Sequence, residues 1–210
     1  MHDRIAAAGA DPSALTLVAV TKGFGIEVVR LAAAAQLFDL GENYVDEMHA
    51  KMAASRALRL PLKWHFLGHV QRNKVRKVAN GVAVWQGVDR LAAGEEIAKR
   101  APGATVLVQV NLTGADNRNG CTFEDAPQLV AGLRDGAGLD VRGVMGVGPG
   151  GDPEDARPLF RRLRALADEL ELEHTSMGMS DDLEVAVQEG STMLRLGTAL
   201  FGPRPQSRNR

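Results

Sequence analysis

At 210 residues, 45% of them hydrophobic, the chain is long enough to bury a full core as one domain. Lys+Arg 25 against Asp+Glu 26 leaves a net charge of −1, so no field of one sign recruits nucleic acid or a membrane surface. A lone cysteine, Cys121, excludes an intrachain disulfide, and neither a signal-peptide core nor an apolar run of membrane-spanning length is found, so the cytoplasm is the expected compartment.

Residues 1–10 read as a short helix, and Asp11-Pro12-Ser13 turns the chain into its first strand, 16–20. Further apolar runs of strand length follow at 37–40, 63–67, 82–85, 105–110, 141–145, 174–177 and 193–196. Between them lie amphipathic stretches at 26–35, 44–58, 73–78, 90–100, 124–133, 153–172 and 181–189. Strict alternation of strand and helix demands parallel strands joined by right-handed crossovers, and about eight such units close a barrel. The expected fold is therefore α/β, a (β/α)8 TIM barrel in a single domain over 1–203, with an open doubly wound sheet as runner-up. The basic, proline-bearing end, 204–210, is expected to be a flexible tail.

The first strand carries an anomaly at its end. Leu17-Val18-Ala19-Val20-Thr21-Lys22-Gly23 runs from an apolar interior onto an ammonium. With alternating faces, Lys22 shares a side with Val18 and Val20 and emerges at the carboxyl end of the strand. Desolvation favours the neutral amine, the form that attacks an aldehyde; the bland reading, and the commoner outcome, is a lysine that snorkels to solvent. Arg195, inside Met193-Leu194-Arg195-Leu196, faces the side opposite its leucines, toward the barrel mouth. A guanidinium there needs a partner, and a ligand or an ion pair with Glu42 or another carboxylate fits equally.

In such a barrel, phosphate commonly docks after the seventh and eighth strands. There stand Ser176-Met177-Gly178-Met179-Ser180-Asp181-Asp182 and Arg195-Leu196-Gly197-Thr198-Ala199-Leu200-Phe201-Gly202, small-residue turns that let backbone amides and hydroxyls approach an anion. Helix capping, with Asp181 and Glu184 as a box, is the plain alternative; it explains Ser180 and Asp181 but not the preceding Met-Gly-Met, and the two aspartates must turn away if an anion binds. His65 reads as a core histidine bonded to backbone, and Arg72, Lys74, Arg76 and Lys77 as a solvated basic face. Asn111, Asn117, Arg118 and Asn119 form a polar loop within reach of the mouth. Zinc spacings, a Walker sequence and a nucleophile elbow are all missing, so no metal is expected.

Taken in order, Val18-Ala19-Val20-Thr21-Lys22, Gly41-Glu42-Asn43-Tyr44, Trp64-His65-Phe66-Leu67-Gly68, Gln71-Arg72-Asn73-Lys74 and the two turns above resemble the pyridoxal phosphate homeostasis proteins, whose fold is similar to the barrel domain of alanine racemase. The resemblance runs from about residue 1 to Pro203. It departs at His69-Val70, where the family usually has Pro-Leu or a similar pair, and at a glycine-rich run over 144–151. It implies that pyridoxal 5′-phosphate is the cofactor and that Lys22 is its Schiff-base lysine. Ser176, Ser180, Gly197 and Thr198 would hold the phosphate, Arg195 would face the pyridine nitrogen, and Asn43 would lie near the ring. The function implied is a carrier that buffers the cofactor and passes it to pyridoxal phosphate-dependent apoenzymes, with no catalytic residues. A weakly active amino-acid racemase is the alternative, disfavoured because the one tyrosine is Tyr44 and no second domain supplies an opposing base. A Schiff-base aldolase or phosphate-sugar isomerase on the same barrel suits these residues less well. Without an obvious exposed apolar stripe, a monomer is expected.

Overall fold

The computed structural model describes residues 1–203; the tail expected at 204–210 lies outside the described residues. Eight parallel strands close into a barrel in chain order: β1 (Thr16–Val20), β2 (Asp39–Glu42), β3 (Lys63–Phe66), β4 (Val82–Val88), β5 (Thr105–Val110), β6 (Asp140–Gly146), β7 (His174–Ser176) and β8 (Met193–Leu196), which pairs back onto β1. Closure leaves no sheet edge and settles the choice against an open sheet. The surrounding helices are α1 (His2–Ala7), α2 (Glu27–Ala34), α3 (Val45–Ala57), α4 (Arg72–Val75), α5 (Leu91–Arg100), α6 (Ala126–Ala131), α7 (Arg157–Glu169), α8 (Leu183–Gln188) and α9 (Thr198–Phe201). None of them is long and apolar enough to cross a membrane.

Alternation along the strands sorts residues into two cores. Outward-facing Ala19, Leu40, Trp64, Phe66, Trp85, Val106, Val108, Leu194 and Leu196 pack with helix residues such as Met48, Ile97, Phe160 and Leu163. Each of the larger side chains among them stabilises the fold, when removed from water, by about 1.5–3 kcal/mol before its entropy is counted. The inward side is different in character. Leu107, Met145 and Met193 form a small apolar plug with Val84 and Val147, while His65, Gln86, Gln109, Ser176 and Arg195 are buried polar neighbours on the same faces.

Three local departures from the sequence pattern have physical causes. β2 begins and ends two residues later than expected, so Gly41 and Glu42 belong to the strand; the Glu42 carboxylate is tolerated there because Lys51 of α3 reaches it. The stretch 153–172 starts as a 3-10 turn, Pro153–Ala156, and the regular helix begins only at Arg157, because Pro158 has no N–H to donate back to Glu154 O. The alternative of a capping box at Asp181 is not realised: Asp182 is the N-cap, without a side-chain bond into the helix, and Glu184 takes two bonds from Arg4 at 2.6 and 2.9 Å, tying α1 to α8.

Cys121 sits just beyond β5, its amide donating to Gln109 O at 2.9 Å and its carbonyl accepting from Asn111 N at 2.9 Å. Burial pushes its thiol up to about 12. At pH 8 only about 10⁻⁴ of it is thiolate, so the folded protein is expected to react with a disulfide reagent orders of magnitude more slowly than the denatured chain. Rapid titration of the native thiol at pH 8 would contradict this.

Candidate cofactor site

The carboxyl ends of the strands surround one cavity of about 490 Å³. Its wall is built from the ends of β1 (Val20, Lys22), β2 (Asn43) and β3 (Leu67, Gly68, His69), then the turn after β7 (Met179, Ser180, Asp181) and the end of β8 (Arg195, Gly197, Thr198). The polar loop after β5 closes the remaining side with Asn111, Asn117, Arg118 and Asn119. Arg118 fixes that loop by donating to Gly148 O and Pro149 O, both at 2.8 Å, so it staples the β5 and β6 loops together. Lys22 and Arg195 thus share a rim, as alternation along β1 and β8 predicts.

The turn that presents Lys22 is gripped on both flanks. Lys51 Nζ, nearly inaccessible to water, donates to Thr21 O at 2.7 Å, and Gly23 N donates to Glu47 Oε2 at 2.9 Å. Lys51 also pairs with Glu42 Oε1 at 2.5 Å and Glu47 Oε2 at 3.2 Å. Glu42, at 0% exposure, accepts further from Thr21 Oγ1 at 2.8 Å and from the amide of Asn43 at 3.2 Å. Desolvation raises the Glu42 carboxyl above the usual range, and the bonds from Lys51 and Thr21 oppose that rise. One buried ion pair therefore orients two wall residues, Lys22 and Asn43. Gly23 completes the turn at φ 78°, a backbone angle that any side chain would strain.

Arg195 is 5% exposed and donates to Ser176 Oγ and to Gly146 O, both at 2.8 Å. No carboxylate lies within salt-bridge distance of it among the described residues; Glu42, one candidate partner, is committed to Lys51. Burial pushes the guanidinium down to about 10, with Asp182 acting the other way, and at neutral pH it remains a cation. A buried cation held by neutral acceptors at a cavity wall is prepared for an electron-rich or anionic ligand.

The remaining expected residues fall into place unevenly. Asn43 lines the cavity, and its Oδ1 is buried without a hydrogen-bond partner among the described residues. It sits where Gly68 passes so close that a Cβ there would lie 2.0 Å from Asn43 O. Ser180, Gly197 and Thr198 share one end of the cavity, where Ser180 Oγ accepts from Ala199 N at 3.1 Å and so joins the two turns. Of the two aspartates, Asp182 turns inward to accept from Met179 N at 2.6 Å, while Asp181 stays exposed at the wall. Ser176 does not line the cavity. It is fully buried inside the barrel, between Arg195 and Gln86, so the structure gives it a partner other than the expected phosphate.

Several residues join the site that sequence reasoning left out or read differently. His65 is buried as expected but bonds to side chains, Asp39 and Gln86, and not to backbone. Gln86 follows Val84 by two positions, and extending the strand past Trp85 to Val88 would have placed it indoors. Lys51 carried no local signal, because its partner lies nine residues away across a strand-to-helix turn. His69 stands at the wall, bonded to Asp89 at 3.2 Å. In the basic face, Lys74 and Lys77 both bond exposed Asp46, consistent with a solvated surface. No cluster of metal ligands occurs among the described residues.

Comparison with known proteins bears on this geometry. The family described as "Alanine racemase, N-terminal domain" matches residues 4–205. A pyridoxal phosphate homeostasis protein of Pseudomonas aeruginosa is 41% identical over 205 residues, covering 94% of this chain and 88% of that one. One from Aquifex aeolicus is 38% identical and covers 94% of this chain and 90% of its own. Among solved structures, PipY of Synechococcus elongatus with pyridoxal phosphate bound superimposes with a TM-score of 0.82 at 32% identity, covering 96% of this chain and 99% of that chain. Alanine racemase of Clostridium difficile shares the fold at a TM-score of 0.75 and 16% identity, with 98% of this chain matched to 56% of that one. The chain belongs to the pyridoxal phosphate homeostasis protein family, built on the barrel of the alanine racemase N-terminal domain.

Proposed function

We propose that this protein binds pyridoxal 5′-phosphate in the cavity at the carboxyl rim of the barrel and carries it for other proteins without robust catalysis of its own. The observation that supports this most is the convergence on one cavity of an amine, a carboxylate-free buried guanidinium, and a turn rich in hydroxyls and glycine. The orphaned Oδ1 of Asn43 adds an acceptor of the kind a ring hydroxyl would satisfy. In this reading Lys22 holds the cofactor covalently as a Schiff base, Ser180, Gly197 and Thr198 bind its phosphate, and Arg195 faces its ring nitrogen. The bound group supplies an electrophilic aldehyde and a ring that can accept electrons; because arginine only donates, the ring nitrogen opposite it stays an acceptor and the ring is a weak electron sink.

The chain's own groups point the same way. Racemisation by two bases needs a second acid/base on the far face of a substrate, and Tyr44, the one tyrosine, is 59% exposed and outside the cavity wall. We take 1–203 as one folded unit acting as a monomer in the cytoplasm, with pyridoxal phosphate-dependent apoenzymes as recipients and neither nucleic acid nor membrane as partner.

Two measurements on purified protein test the reading together. Titration with pyridoxal phosphate should give a yellow complex that restores activity to a pyridoxal phosphate-dependent apoenzyme. Alanine racemisation should stay far below the ordinary range of about 1–1000 s⁻¹; turnover within it would make the protein an enzyme.

A further inference from the structure

Through the interior of the barrel runs a file of buried polar side chains that ends on Arg195. Asp39 Oδ1 lies 2.9 Å from His65 Nε2, His65 Nδ1 is 2.8 Å from Gln86 Nε2, Gln86 Oε1 is 2.7 Å from Ser176 Oγ, and Ser176 Oγ is 2.8 Å from Arg195 Nη1. The file therefore crosses from the start of β2 through β3, β4 and β7 to β8. Its three middle members are at most 2% exposed, so water does not substitute for a lost link.

The partners present set the direction of each bond. The Asp39 carboxylate accepts from His65 Nε2, and the Gln86 amide nitrogen only donates, so His65 Nδ1 accepts from it. That placement turns the Gln86 oxygen toward Ser176. The serine hydroxyl donates to that oxygen and keeps its lone pairs for Arg195. From the other end, a guanidinium only donates, and it finds just such a lone pair. A flipped Gln86 amide would set an acceptor against an acceptor at His65, breaking that buried bond, and would take from the Ser176 hydroxyl proton the oxygen it donates to.

We infer that Gln86, keyed by Asp39 and His65 and acting through Ser176, is a positioning residue that holds the Arg195 guanidinium at the angle it presents to the cavity. This rests on the reading above, that Arg195 faces the cofactor ring. It also gives Ser176 a task distinct from the phosphate contact implied by family resemblance.

The experiment uses the full chain loaded with pyridoxal phosphate and reads the visible absorption band and the rate of cofactor release. Gln86→Leu should shift the band and speed release by about tenfold, the scale of one hydrogen bond to a charged group, and Ser176→Ala should do the same. Neither should remove the borohydride-stable adduct. In an Arg195→Lys background, which lacks the oriented fork, each should add less than twofold. Full additivity there, or native spectra and release rates in folded Gln86→Leu, overturns the inference. Should Gln86→Leu not fold, Ser176→Ala decides alone: additivity with Arg195→Lys means that Ser176 acts on the ligand independently of Arg195. Failure of the native protein to bind pyridoxal phosphate at all would instead remove the functional reading while leaving the file of bonds intact.

Discussion

Borohydride reduction of the cofactor-loaded protein is expected to fix pyridoxal phosphate on a single peptide, the one containing Lys22, and Lys22→Ala is expected to lose both the adduct and the yellow colour. The other lysines are engaged or remote: Lys51 is buried against Glu42, Lys74 and Lys77 bond Asp46, Lys63 begins β3 at the amino end of the barrel, and Lys99 lies in the last turn of α5. None of them lines the cavity. Loss of the covalent link leaves only the hydrogen bonds of the wall, so retention through gel filtration should fall by at least about 100-fold, equivalent to about 2.8 kcal/mol. Peptide mass spectrometry after reduction is the check, and an adduct on Lys63 or Lys74 would refute the assignment.

What the sequence disclosed depended on whether the cause lay nearby in the chain. Arg195 between two leucines betrayed its inward direction through strand alternation alone, and Lys22 did so at the end of β1, because period-two geometry is local. Strand and helix alternation likewise announced a closed barrel, since eight parallel units leave few other ways to hide the sheet edges. Glu42 misled for the opposite reason. A glutamate in Asp39–Glu42 argues for a turn until Lys51, a full strand-to-helix passage later, cancels its charge. Ser176 shows the same limit at longer range: its motif pointed to a phosphate, but Gln86, ninety positions away, claims its hydroxyl. Polar residues inside a barrel are legible as directions and illegible as partnerships.

The buried pair behind Lys22 carries the largest expected effect on stability. Lys51→Met deletes the only cation bonded to Glu42 among the described residues, a carboxyl at 0% exposure, while methionine fills most of the lysine stem's volume. Leaving one partner of a buried pair uncompensated costs about 3–5 kcal/mol, or roughly 6–20 °C in Tm for a chain of this size. The sign of its pH dependence follows from Glu42, whose folded carboxyl already lies above its ordinary value because of desolvation. Removing Lys51 takes away the main opposition, so the folded state binds a proton there more readily than the unfolded chain does. Stability of the variant should therefore be best preserved below the unfolded pKa and be lost as pH rises through the raised folded one. Urea unfolding of native and Lys51→Met protein across pH 4–8 should show the gap between them widening with pH. Replacing both partners, Lys51→Met with Glu42→Leu, should recover most of the loss, because two apolar side chains need no compensation. Cofactor binding should not recover with it: Thr21 O still lacks the ammonium that held the turn, and Asn43 N still lacks Glu42. A gap that narrows with rising pH, or a double variant that regains native affinity along with stability, would show that the pair serves the fold alone and leaves Lys22 to be placed by its own strand.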